Sequence, residues 1–204
     1  MHIYFMRHGH SIADIENKIE SLYDSALTET GVEQAKEASV YFKLKGIVFD
    51  EILSSPLLRA KETAEIIGNA QKITPTELNS LKEVDRGILC GMNKKEADDL
   101  YPRSEFKNFT DLYPQESGEN TYDVRSRSYK AINEVMKRKT NHILVVSHGA
   151  ILNEIMLSLL SMPSLINEKH GYMFSFDDCE YMHLMRNINS EKLALIEKRV
   201  ARRD

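Results

Sequence analysis

The spacing of apolar positions changes several times along the chain, and each change marks an element. Residues 2–6 form a short apolar run that reads as a first strand. Val32, Ala35, Ala38 and Phe42 recur at helical spacing, which predicts a helix from a Thr28 cap to about Lys45, stopped by Gly46. Glu51-Ile52-Leu53-Ser54 reads as a second strand, after which Ser55 as N-cap and Pro56 as first helical residue open a helix to about Ile67. A third strand is expected over 72–78. From 81 to 119 the pattern breaks into short polar and aromatic segments, interrupted at Tyr101-Pro102 and Tyr113-Pro114. A helix over 119–139 leads into Ile143-Leu144-Val145-Val146, a continuous β-rich run of the kind a doubly covered central strand shows. A helix over 151–160 and two or three edge strands between 172 and 196 complete the chain.

Strands alternating with helices predict an α/β fold with a mostly parallel central sheet. The 204 residues are 42% hydrophobic and 28% charged, enough for one sizeable core, so a single domain is expected over 1–204, with residues 81–122 as a cap or lid inserted into it. The formal net charge of −4, from 27 basic and 31 acidic residues, gives no electrostatic footprint for nucleic acid or an anionic membrane, so an anion site must be local. Cys90 and Cys179 make neither a disulfide framework nor a C-x-x-C metal spacing, which suits a reducing cytoplasm. No apolar run approaches the roughly 20 residues that span a bilayer, and residues 1–6 are too short for the apolar part of a signal peptide. The expectation is a soluble, unprocessed cytoplasmic protein.

Three predicted strands end in polar groups: Arg7-His8-Gly9, Ser54-Ser55-Pro56 with Arg59 in the following helix, and Ser147-His148-Gly149. If those strands are parallel neighbours, two guanidiniums and two imidazoles share one edge of the sheet, where open α/β folds bind ligands. Such a concentration of positive charge calls for an anion. Arginine's planar fork binds phosphoryl oxygens in a bidentate way, and imidazole can donate or attack. An alternative set, His8, His10, Asp14 and His148, could instead ligate a metal, although Arg7 and Arg59 beside a divalent ion argue against it. His2, His142, His170 and His183 fall at predicted strand edges or loops, and Met6, Met156 and Met162 read as core filling. There is no Walker loop and no G-x-G-x-x-G after a strand.

The ordered segments Arg7-His8-Gly9, Leu27-Thr28-Glu29-x-Gly31-x-x-Gln34-Ala35, Ser54-Ser55-Pro56-Leu57-x-Arg59-Ala60-x-Glu62-Thr63-Ala64 and Ser147-His148-Gly149 resemble the motifs of the histidine phosphatase superfamily, the phosphoglycerate-mutase-like proteins. Glu83 in Leu81-Lys82-Glu83-Val84-Asp85-Arg86-Gly87 resembles that family's acid-donor segment, with Asp85 as the alternative donor; Glu116-Ser117-Gly118-Glu119 with Val124 and Arg127 resembles the stretch before its penultimate helix. The resemblance implies a three-layer α/β/α sandwich with a small helical cap. It implies His8 as nucleophile, Glu83 as proton donor and Arg7, Arg59 and His148 as phosphate ligands, with Ser11, Asp14 and Gly149 as candidate substrate contacts. It also implies that neither metal nor cofactor is required. The partner is a small phosphorylated substrate, and the oligomeric state is monomer or homodimer.

Departures from the family pattern concern the substrate more than the fold. His10, Ser11 and Asp14 stand where members commonly carry Glu or Gln, Ser or Thr, and Asn, and Cys90 replaces a common Glu. An ionised Asp14 facing phosphate would repel it unless it is protonated, turned away or paired, so Asp14→Asn is expected to preserve the fold and tighten phosphate binding. Lys94 resembles a contact of phosphoglycerate mutases, but Val84 and Arg86 replace an arginine and a tyrosine of that branch, and its paired-arginine insertion before residue 114 is missing. The Glu-x-Asp-x-Gly pattern at Glu83, Asp85 and Gly87 is more similar to phosphatase members such as the sugar-phosphate and α-ribazole phosphatases. A phosphomonoester hydrolase is the first expectation, mutase-like phosphoryl transfer the second, and a weakly active relative that binds phosphorylated ligands or a partner the third.

Overall fold

The computed structural model describes residues 1–101, 118–163, 174–187, 189–190 and 192–202. The strands are β1 (His2–Arg7), β2 (Glu51–Ser54), β3 (Thr76–Glu77), β4 (His142–Ser147), β5 (Glu180–Arg186) and β6 (Leu193–Val200), and the helices are α1 (Ile12–Ile15), α2 (Glu29–Leu44), α3 (Leu58–Gln71), α4 (Lys94–Leu100), α5 (Thr121–Met136) and α6 (Gly149–Leu159). The strands form one sheet in the order β3-β2-β4-β1-β5-β6. Pairing is parallel from β3 through β1 and antiparallel at β5 and β6. Alternation divides the core into two layers. Ile3, Phe5, Leu53, Ile143 and Val145 face Val124, Ala131 and Val135 of α5 and Ile151, Leu152 and Ile155 of α6. Tyr4, Met6, Ile52, Leu144 and Val146 face Ala35, Ala38 and Phe42 of α2 and Ala60, Ala64 and Ile67 of α3. Helices cover both faces, as the α/β/α expectation requires.

Several boundaries differ from the pattern for identifiable reasons. Helix α3 begins at Leu58 rather than at Pro56, and Leu57 is its N-cap. Ser55 lies too early to cap it: its hydroxyl accepts the Leu57 N–H in a local turn before the helix and also meets His148 Nε2. The Asp24 carboxylate instead accepts the Leu58 N–H at 2.7 Å, favourable placement for an anion at a helix N-terminus. The third strand shrinks to two residues after Lys72 turns left-handed at φ 61°. Helix α6 starts two residues early with His148 as N-cap, so β4 feeds directly into it. Helix α5 opens on an Asn120–Asp123 capping box. Met6 and Met156 are buried as expected, whereas Met162 is only half-buried; His170 and Tyr113-Pro114 lie outside the described residues, as does much of the expected cap. Cys90 and Cys179 are free thiols. Among the described residues no helix is long and apolar enough to cross a membrane.

In this sheet β4 lies between β1 and β2, with Arg7 paired to Ser147 and Ser54 to Val146. The three polar groups that follow these strands therefore meet at one edge.

Candidate active site

His8 continues the ladder beyond β1, donating its N–H to Ser147 O at 3.0 Å, and its side chain is fully buried. The ring Nδ1 lies 2.7 Å from Gly9 O. A carbonyl only accepts, so Nδ1 carries the proton and Nε2 the lone pair of the neutral ring. Arg59 Nε–H donates to Nε2 at 3.2 Å. Burial, and then the Arg59 and Arg7 guanidiniums, hold the His8 pKa well below the ordinary imidazole value, opposed only in part by the Gly9 hydrogen bond and the Asp14 charge. At neutral pH this is an uncharged imidazole with its basic nitrogen turned toward a cation.

Close backbone packing holds that ring in place. A β-carbon on Gly9 would lie 2.7 Å from Gly31 O, and one on Gly31 would lie 2.1 Å from His10 O. The first turn of α2 therefore approaches the Arg7-His8-Gly9 segment as only glycine permits. Thr63 of α3 accepts the Gly9 N–H at 3.1 Å and donates to Arg59 O at 2.7 Å. Gln34 accepts the His10 N–H at 2.8 Å, and Glu62 accepts the Leu27 N–H at 2.7 Å. Gly31, Gln34, Glu62 and Thr63 of the motifs thus orient backbone around the imidazole.

Arg59, in the first turn of α3, is completely buried. Its Nη1 donates to Tyr23 O at 2.9 Å and its Nη2 to Ser21 O at 3.0 Å, while Nε lies 3.1 Å from Glu20 Oε1. The pair supplies the counter-charge that a buried guanidinium needs. Glu20 Oε2 also stands 3.7 Å from His8 Nε2.

His148 is fully buried, with its ring centre 5.1 Å from that of His8. Its Nε2 meets Ser55 Oγ at 2.8 Å, and its Nδ1 has no hydrogen-bond partner among the described residues. Burial and then Arg59 push its pKa well below the usual value, with smaller contributions from His8, Arg7 and Arg127. A buried ring nitrogen without a partner is a donor or acceptor suited to a ligand. The Glu83 carboxylate caps α6, accepting N–H groups from Ala150 at 3.2 Å and Ile151 at 3.1 Å, and that of Val84 at 2.8 Å. Arg127 bonds the carbonyls of Ser80, Lys82 and Glu83 and pairs with Glu119, which also accepts the Asp85 N–H. Residues 80–85 are clamped in this way. Arg7 donates to Phe176 O at 3.1 Å and lies 3.3 Å from Asp178 Oδ1.

His8, Arg59 and His148 are thus brought together, with Glu83 at the start of the helix that His148 caps and with Arg7 beside Gly149. Asp85 is committed elsewhere, its Oδ1 accepting the Gly87 N–H at 2.9 Å. Asp14 turns back onto its own helix, where Oδ2 accepts the Ser11 N–H at 2.9 Å and lies 2.9 Å from Ser11 Oγ. His10 Nδ1 lies 3.1 Å from Thr28 Oγ1, so the four residues of the metal reading do not converge. Glu20 and Asp178 went unnoticed in the sequence because each lies in an irregular segment outside the motifs. The assembled groups can present a neutral nucleophilic nitrogen to an anion held by guanidinium and imidazole donors.

Residues 3–192 match the histidine phosphatase superfamily (branch 1). The chain is 33% identical over 165 residues to a 2,3-bisphosphoglycerate-dependent phosphoglycerate mutase of Bradyrhizobium diazoefficiens, covering 77% of this chain and 80% of that protein. It is 30% identical over 157 residues to the uncharacterized phosphatase PhoE of Bacillus subtilis, covering 77% and 76%. Among solved structures, the α-ribazole phosphatase of Shigella flexneri superposes with a TM-score of 0.81 at 22% identity, covering 96% and 95%. The phosphoserine phosphatase of Entamoeba histolytica in complex with 3-phosphoglyceric acid superposes with a TM-score of 0.76 at 24% identity, covering 97% and 95%.

Proposed function

We propose that this chain, which belongs to the histidine phosphatase superfamily, is a phosphomonoester hydrolase that works on a small phosphorylated metabolite through a phosphohistidine on His8. The observation that carries the reading is the state of His8: Nδ1 is protonated against Gly9 O, and burial beside two guanidiniums keeps Nε2 free of a proton. When a phosphoryl group arrives, Arg59 exchanges its contact with Nε2 for a phosphoryl oxygen. Nε2 then forms the bond to phosphorus as the ester P–O bond breaks. Glu83 gives its proton to the departing alkoxide, and its carboxylate later takes a proton from the water that attacks phosphorus and restores His8. Arg7, Arg59 and His148 hold the equatorial oxygens, so developing charge meets fixed donors. The place of Glu83 at the start of the helix that His148 caps supports it over Asp85 as the donor.

Hydrolysis is favoured over mutase transfer by the fate of Val84. The position that carries an arginine in the mutase branch is buried in the core here, where it offers no cation to a second acidic group. Purified protein incubated with phosphorylated sugars, phosphoglycerates, nucleotides and phosphoserine is expected to release inorganic phosphate and to form an acid-labile phosphohistidine; both are lost in His8→Ala. Interconversion of 3- and 2-phosphoglycerate without phosphate release would establish the mutase instead.

A further inference from the structure

Glu20 belongs to no motif, yet its carboxylate fills the space in front of the His8 lone pair. Oε1 lies 3.1 Å from Arg59 Nε and accepts the Ser11 hydroxyl at 2.7 Å, and Oε2 lies 3.7 Å from His8 Nε2. A phosphoryl group approaching the nucleophile would meet these same atoms. The backbone is built to keep the carboxylate there. Ser21, the next residue, adopts φ 45°, a left-handed conformation that a residue with a β-carbon enters only at a cost. Three hydrogen bonds fix it: Ser21 Oγ to Val84 O at 3.0 Å, Arg86 N to Ser21 Oγ at 2.8 Å, and Arg59 Nη2 to Ser21 O at 3.0 Å. On the other side, Ile19 exchanges 2.8 Å hydrogen bonds with Met92 O and Gly91 N. Glu20 is thus held between two anchored residues, and its side chain is tied only by Arg59 and Ser11, contacts that a phosphoryl group can replace.

We propose that Glu20 is the specificity-determining residue of the phosphoryl seat, an internal anion that neutralises Arg59 and that an incoming phosphoryl group must displace. The inference rests on the hydrolase reading above. A carboxylate and a phosphate dianion cannot share the Arg59 edge, because like charges at that separation repel. Inorganic phosphate, with only the seat to bind, is therefore held weakly. An ester draws on contacts to its organic part and overcomes the displacement, and the product phosphate leaves as Glu20 returns.

The test is a calorimetric titration of inorganic phosphate into wild type, Glu20→Gln, Glu20→Ala and Arg59→Met, with phosphate inhibition measured on an ester that the wild type hydrolyses. Glu20→Gln keeps the shape of the side chain without its charge, so its phosphate affinity should rise by about tenfold or more, and its inhibition constant for phosphate should fall more than the ester KM. In Glu20→Ala, formate should enter the emptied position and compete with phosphate. If Glu20→Gln proves too unstable to titrate, phosphate should restore its folding by giving Arg59 a counter-charge; failure to do so counts against the proposal. Equal phosphate affinity in wild type and Glu20→Gln, lost in Arg59→Met, overturns the role of Glu20 and leaves the hydrolase reading standing. Formate without effect on Glu20→Ala also overturns it, and no phosphate binding by any of the proteins overturns both.

Discussion

Of the carboxylates around the candidate site, Asp14 and Glu20 are held in opposite senses. Asp14 is turned back within α1 by the N–H of Ser11, whereas Glu20 faces Arg59 and His8. Asp14→Asn keeps an oxygen that accepts the Ser11 N–H, as capping asparagines do. It should therefore fold normally and change the phosphate dissociation constant by less than about threefold, well short of the effect of Glu20→Gln in the same titration. This revises the expectation from sequence that Asp14 is the carboxylate opposing phosphate. The departure at residue 14 was visible in the sequence, but the direction of its side chain was not, since it depends on the one-turn helix that Ser11 opens. The placement of Glu20 left no periodic trace, because Arg59 bonds to the main chain of Ser21 and Tyr23 and not to any pattern of side-chain types.

At the scale of elements, helical and strand periods located β1, α2, β2, α5 and β4, and the three strand-end groups met as expected. What the periods could not convey is how closely α2 approaches the Arg7-His8-Gly9 segment. Gly31→Ala tests that contact. Its β-carbon would press on His10 O, so α2 and the His8 segment must separate; overpacking of this kind costs about 1–3 kcal/mol and should also lower kcat/KM. Gly46→Ala is the control. Gly46 has φ 66°, and a β-carbon there would meet no atom of the described residues within 4 Å, so the substitution should cost about 1 kcal/mol of backbone strain and leave kcat/KM unchanged. Urea unfolding and steady-state kinetics on both variants separate the two effects, and an active Gly31→Ala would remove the positioning role of α2. The misplaced start of α3 has a related origin: Ser55 reads as a cap in one dimension, but the fold sends its hydroxyl to His148.

Across the whole molecule, depressed imidazoles occur at both ends of the sheet. At the amino ends of β1 and β4, away from the candidate site, His2 Nδ1 lies 2.9 Å from His183 Nε2, His2 stacks on His142 at 4.6 Å, and His183 stacks on Tyr4 at 4.1 Å. The sequence placed His2, His142 and His183 at strand edges but held no sign that they stack, because the stack depends on the register of β5 against β1. Burial, and then His2, lower the His183 pKa from 6.5 to about 4, and burial followed by His142 lowers that of His2. Between those values the folded protein binds fewer protons than the unfolded chain. Stability contributed by these groups is therefore complete above about pH 6.5 and is lost progressively as pH falls toward about 4. His8 and His148 act in the same direction on stability, yet because their own pKa values lie well below 6.5, kcat/KM should show no imidazole titration near that pH. The urea midpoint should therefore fall from about pH 7.5 to about pH 5, while kcat/KM, measured on the folded protein and corrected for the second ionisation of the substrate phosphoryl group near about pH 6, holds. His183→Phe keeps a ring on Tyr4 without a titrating nitrogen and should make the stability curve shallower, by the share that His183 contributes beside His2, His8 and His148, without moving kcat/KM; a curve as steep as that of the wild type would mean that acid sensitivity arises outside the stack.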